Sequence, residues 1–149
     1  MAMGNPTMGT TVWLMPDSPL HIALSKVGDR WTLLVIEALL DGAARFGDLE
    51  KAVTGIAPNT LSSRLKALEA DGLVVAGAYS ERPLRYEYTL TASGKELAGA
   101  ISLLTAWGAR HTEGVETPRH GLCGTPLDVR WYCPTCDRRA SEDEEAWEV

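Results

Sequence analysis

The segment from Gly55 to Leu73 constrains the fold more than any other part of this chain. Thr54-Gly55 interrupts whatever precedes it, Pro58 suits the first turn of a helix, and Asp71-Gly72 closes that helix. Leu61, Leu65 and Leu68 recur at helical spacing and form one apolar stripe. The other face carries Asn59, Thr60, Ser62, Ser63, Arg64 and Lys66, which are short hydrogen-bonders and two cations with no acid among them. Glu69 and Asp71 come only at the far end. Such a face suits a DNA major groove, where phosphates need positive charge and base edges need donors and acceptors. An ordinary solvated helix face is the competing reading, and the neighbouring segments decide between the two.

Before this helix the chain reads as three others. Ser18-Pro19 supplies an N-cap and a first-position proline for a helix through Ile22, Ala23 and Val27 that stops near Gly28. Asp29 caps a second helix carrying Trp31, Leu34, Val35, Ala38 and Leu39, which ends at Asp41-Gly42. A shorter third runs from Phe46 to about Val53. After the Gly55–Leu73 segment come two strands. Leu73 to Tyr79 leads into the turn Ser80-Glu81-Arg82-Pro83, and Leu84 to Leu90 returns with Leu84, Tyr86, Tyr88 and Leu90 alternating against polar residues. Thr91 then caps a long helix through Leu97, Ile101, Leu104 and Trp107, fading near His111. The expected fold is therefore α+β and mainly helical: a winged helix-turn-helix with a long dimerisation helix and a small zinc-ribbon-like C-terminal tail. The hairpin is the wing, and Arg82 and Arg85 are placed to reach phosphate or a minor groove.

The motifs in this order resemble the HxlR-type family of bacterial winged-helix transcriptional regulators, a MarR-like group. The matching residues are Ala23-Leu24, Gly28-Asp29-Arg30-Trp31-Thr32-Leu33-Leu34, Leu40-Asp41-Gly42 and Arg45-Phe46-Gly47-Asp48-Leu49. They continue through Gly55-Ile56, Leu61, Leu65, Leu68-Glu69, Asp71-Gly72-Leu73, Tyr86-Glu87-Tyr88-Thr89-Leu90-Thr91 and Trp107-Gly108. The resemblance spans roughly Ser18 to His111 and implies a homodimeric, sequence-specific DNA-binding regulator. Dimers of the family form through the first helix, its N-terminal extension and the last long helix. Ile22, Ile101, Leu104 and Trp107 are the interface candidates here. Two-fold symmetry implies double-stranded DNA with a pseudo-palindromic operator. One departure stands out. Oxidant-sensing members resemble one another in a cysteine just before the first helix. Here that position is Ser18, and no cysteine precedes Cys123. Serine offers no thiolate.

All three cysteines lie beyond the family-like segment. Cys133-Pro-Thr-Cys136 has knuckle spacing, and His120 and Cys123 form a second pair with the same gap. Three sulfurs and one imidazole suffice for a closed tetrahedral zinc site, structural by default. A redox pair, a disulfide and free surface thiols are the competing readings. His111 is an alternative imidazole. A strand is expected within Leu127 to Tyr132. The domain limits follow: an N-terminal arm over 1–17, the winged helix over 18–113, the zinc-ribbon-like module over 114–140, and an acidic tail over 141–149.

Composition enters against this background. The net charge is −6, but Glu142, Asp143, Glu144, Glu145 and Glu148 fall in the last eight residues, so a local basic face remains available. No apolar run is long enough to span a membrane and no signal segment opens the chain, which points to the cytoplasm. Nothing resembles a Gly-rich phosphate loop or a nucleophile elbow, and an enzyme is not expected. The expected function is a transcriptional repressor released by a small-molecule effector. The alternatives are a metal- or redox-responsive regulator sensing through the tail, and a protein-interaction adaptor on the same scaffold.

Overall fold

The computed structural model describes residues 18–127 and 130–140. The expected arm over 1–17 and acidic tail over 141–149 lie outside the described residues. The chain divides into two compact units, Met1–Ala98 and Gly99–Val149.

In the first unit, α1 (Pro19–Val27) begins as its sequence dictates: the Ser18 side chain accepts a hydrogen bond from the His21 amide at 3.1 Å. Gly28 closes it and donates to the Leu24 carbonyl. The Asp29 carboxylate caps α2 (Arg30–Leu40) by accepting from the amides of Trp31 and Thr32. A two-residue strand, β1 (Ala44–Arg45), precedes α3 (Phe46–Ala52). The helix α4 (Pro58–Ala70) follows, then β2 (Val74–Glu81), β3 (Leu84–Leu90) and the five-residue α5 (Ala92–Glu96). The core is drawn from one stripe of each element. Val35, Ile36 and Leu39 come from α2, Leu49 from α3, and Leu61, Leu65 and Leu68 from α4, with Leu73, Val74 and Leu90 on the sheet side. Each fully buried aliphatic side chain stabilises the fold by about 1.5–3 kcal/mol through removal from water.

The sheet is antiparallel in the order β1-β3-β2. Ala44 pairs with Tyr88 and Arg45 with Glu87, so the strand just before α3 is tied to the wing. The β2–β3 pairing runs from Val74–Leu90 to Glu81–Leu84, and Tyr79 is the extra residue of a bulge between Ala78 and Ser80. The N-terminus of α5 is locked to the chain ahead of the wing. Thr91 Oγ1 donates to the Gly72 carbonyl at 2.8 Å and accepts from the Gly94 amide at 3.1 Å. Gly94 is required by close approach, because a Cβ there would lie 2.2 Å from the Leu73 carbonyl oxygen.

The second unit carries α6 (Ala98–Arg110) and a small hairpin, β4 (Trp131–Cys133) with β5 (Arg138–Ala140). Two expectations, on the long helix and on the ribbon strand, are corrected here. The single long helix from Thr91 is two helices, because the Leu97 amide turns back to the Gly94 carbonyl and tightens the chain there. The boundary between the two units falls at Ala98/Gly99, at the start of α6. Ile101 is only 7% exposed within the single chain, whereas Leu104 and Trp107 are 55% and 58% exposed. The ribbon strand starts at Trp131 and not at Leu127, with 128 and 129 outside the described residues.

Candidate nucleic-acid interface

The candidate surface begins with α4. Burial of Leu61, Leu65 and Leu68 fixes the helix's rotation. At about 3.6 residues per turn, Asn59, Ser63 and Lys66 fall opposite that stripe, and Thr60, Ser62 and Arg64 flank it. The exposures agree: the first three are exposed and the flanking three half-buried. No side-chain hydrogen bond caps the start of α4, where Ala57 precedes Pro58. A helix N-terminus left in this state favours a phosphate oxygen.

Arg64 has a role that the sequence does not reveal. Its Nε lies 3.3 Å from Asp29 Oδ1, the same carboxylate that caps α2. It is not aligned to donate there, and it has no hydrogen-bond partner among the described residues. The contact is an ion pair more than a hydrogen bond. Burial opposes ionisation of Asp29, but donation by the Thr32 hydroxyl and the Thr32 and Trp31 amides, with the Arg64 charge, holds its carboxyl below the ordinary 3.8. Arg64 therefore pairs α4 with the start of α2, and among the described residues the cation on the exposed ridge is Lys66.

The wing supplies the second part. Arg82 at the turn and Arg85 on β3 are both exposed. Beside them is a cleft of about 450 Å³, lined on one wall by Arg45, Phe46, Gly47, Asp48 and Lys51 and on the other by Tyr79, Leu84, Arg85, Tyr86 and Tyr88. The Arg45 guanidinium stacks over the Tyr79 ring at 4.3 Å. Arg45 and Lys51 are absent from the residues expected to meet DNA. Only the pairing of β1 with β3 sets Arg45 beside the wing, and a two-residue strand has no periodicity to betray it.

In the second unit, His120 Nδ1 is 3.3 Å from Cys123 Sγ, and Cys123 Sγ is 3.3 Å from Thr125 Oγ1. Hydrogen bonding with Thr125, and then with His120, brings the Cys123 thiol from 9.0 to about 7. The amide and thiol of Cys136 and the amide of Thr135 lower that of Cys133. Within each of the two pairs expected to bind zinc the donor side chains are neighbours. Among the described residues, no three His, Cys, Asp or Glu side chains gather into one metal-sized cluster. His111 stacks on Trp107 at 4.6 Å, with Nδ1 2.8 Å from the Trp107 carbonyl, at the end of α6.

The family model for HxlR-like helix-turn-helix proteins matches residues 26–116. The chain belongs to this HxlR-like family. An HTH-type transcriptional regulator of Mycobacterium tuberculosis strain H37Rv is 42% identical over 118 residues, covering 76% of this chain and 74% of that protein. Among solved structures, the redox regulator HypR in its reduced form superposes with a TM-score of 0.61 at 29% identity, over 64% of this chain and 95% of HypR. A Pseudomonas aeruginosa protein assigned as a transcription factor gives 0.66 at 29% identity, over 89% of this chain and 92% of its own. That likeness reaches beyond the segment the family model matches. These HxlR-like relatives are transcriptional regulators and not enzymes. The chain is a transcriptional regulator with a helix-turn-helix DNA-binding fold. Among the described residues no helix is long and apolar enough to cross a membrane.

Proposed function

We propose that the chain acts as a homodimeric, sequence-specific repressor that leaves its operator when a small ligand binds. The observation that carries the DNA-reading part is the exposed Asn59–Ser63–Lys66 ridge of α4, held opposite a fully buried leucine stripe. Asn59 and Ser63 read base edges from the major groove, since an asparagine amide matches adenine and a serine hydroxyl is tolerant. Thr60 and Ser62 flank the ridge and reach adjacent bases or phosphates. Lys66, Arg82, Arg85 and the newly placed Arg45 neutralise phosphates.

Dimerisation is supported by apolar side chains left in water. Leu20, Ile22 and Leu24 on α1 and Leu104 and Trp107 on α6 are all half exposed or more. Isolated exposed apolar residues are common, but several on one short helix, as on α1 and again on α6, fit a helix face that a partner covers. A two-fold dimer then requires a pseudo-palindromic operator with half-sites about one helical turn apart, or a multiple of it. The aromatic cleft between α3 and the wing is the best-supported effector seat, being within the size range of small-molecule sites and lined by cations that otherwise face phosphate. The redox control named for HypR is not carried over through α1, because the helix is capped here by the hydroxyl of Ser18.

The test is selection from a random duplex pool with the full chain, followed by binding of the enriched sequence. A two-fold symmetric consensus bound by a dimer is expected. No enrichment, with binding insensitive to salt, would leave the scaffold as a protein-interaction adaptor.

A further inference from the structure

The stretch 111–140 has an unusual combination of features. None of its described residues is buried, and Leu122 is 92% exposed, with Leu127, Trp131 and Tyr132 each more than half exposed. Among its described residues the strands are β4 and β5, of three residues each. A hairpin of this size without an apolar face does not hold itself together, and segments below about 40 residues ordinarily need a disulfide, a metal or a partner. None of the three cysteines is disulfide-bonded.

The backbone is nevertheless closely specified, and twice in the same way. In His120-Gly-Leu-Cys123-Gly124 the two donor side chains are three residues apart and the next residue, Gly124, is left-handed at φ 69°. In Cys133-Pro-Thr-Cys136-Asp137 the spacing is the same and Asp137 is left-handed at φ 51°. Aspartate accepts that conformation more readily than most residues, and it is further held by a hydrogen bond from the Tyr132 hydroxyl. The first turn is closed by the Gly124 amide donating to the His120 carbonyl at 2.8 Å and framed by the Arg119–Pro126 bridge. A left-handed residue immediately after the second donor makes a turn that can present two ligands to one ion.

We propose that these turns are the two halves of one tetrahedral zinc site, with the thiolates of Cys123, Cys133 and Cys136 and the imidazole of His120 as its four ligands. Each half is preformed within itself. The ion draws the halves together and supplies the cross-link that the absent core does not. On binding, each thiol releases its proton to solvent, and three thiolates on a divalent ion leave one net negative charge. With no open position the ion holds structure and performs no chemistry.

The experiment is metal analysis of the full chain, purified reduced, without chelator or affinity-tag metal, followed by replacement with cobalt(II). One zinc per chain is expected, and the cobalt form should show the intense visible bands of tetrahedral coordination with thiolate charge transfer. Cys123→Ser, Cys133→Ser and Cys136→Ser should each lower zinc affinity by tenfold or more. His120→Ala should do the same, whereas His120→Cys should retain the metal. Far-UV circular dichroism checks that each variant keeps its helices, so that metal loss is not mistaken for unfolding. No metal with three titratable thiols, a Cys133–Cys136 disulfide in the reduced preparation, or one zinc shared by two chains would each overturn the proposal.

Discussion

Asp29 shows how one residue serves several levels of this structure. Its carboxylate caps α2, accepts from the Thr32 hydroxyl and faces Arg64 on α4. Asp29→Ala should destabilise the fold by about 1–2 kcal/mol, the range for losing an N-cap, as read by urea denaturation. The pH dependence follows from the direction of the shift. The folded carboxyl titrates below its ordinary 3.8, so its contribution is fully present above that value and is lost as pH falls through the lower folded value. The stability difference between wild type and Asp29→Asn should be constant above about pH 5 and shrink on further acidification. An unchanged difference at low pH would contradict the assignment. At the same scale, the sequence made the caps Ser18, Asp29 and Thr91 legible, because capping depends on a local side chain and its own following amides. It could not reveal that Arg64 is committed to Asp29, since that contact joins residues far apart in the chain.

Among the elements, the most legible was α4, whose three leucines fix a buried side and thereby an exposed one. The wing was legible for a similar reason, as alternation along Leu84–Leu90 needs only the local pattern. The two-residue β1 was not, because it exists only through its pairing with β3. Nor was the break between α5 and α6, where Leu97 and Ala98 are both good helix formers and the turn is set by the Leu97 amide reaching Gly94. Gly94 belongs to this scale. Gly94→Ala would drive a Cβ against the Leu73 carbonyl and to 3.0 Å from a Leu90 methyl, and backbone cannot step aside as a side chain can. It should cost about 1–3 kcal/mol, measured as a lower thermal midpoint. In the wing, Arg85→Ala should weaken binding to all duplexes alike without changing base preference, as measured by competition between operator and scrambled DNA. A selective loss on the operator would move Arg85 from phosphate to base reading.

For the whole molecule, the dimer is the property that a single chain displays only through what it leaves uncovered. Leu104→Glu combined with Trp107→Glu places charge on two exposed positions of α6 and should leave the fold intact while shifting the species in light scattering from dimer to monomer. A dimer that persists would exclude this face. Operator affinity should fall with the loss of the second half-site contact. The tail shows where sequence reading is strongest and where it stops. Equal three-residue gaps between donors were visible, and so was the knuckle at Cys133–Cys136. The matched left-handed residues and the lack of any buried side chain among the described residues were not, because both are facts of conformation.

The central claim is that α4 reads DNA through Asn59 and Ser63 while Lys66 neutralises phosphate. The most direct measurement is the salt dependence of operator binding by wild type, Lys66→Ala and Asn59→Ala, with a scrambled duplex beside it. Lys66→Ala should weaken both duplexes equally and reduce the slope of log affinity against log salt by about 0.9 for each phosphate contact removed. Asn59→Ala should keep the slope and lose about 1–3 kcal/mol of discrimination at one base position in each half-site. Equal, slope-preserving losses for both variants on both duplexes would contradict this division of roles and remove α4 from the groove.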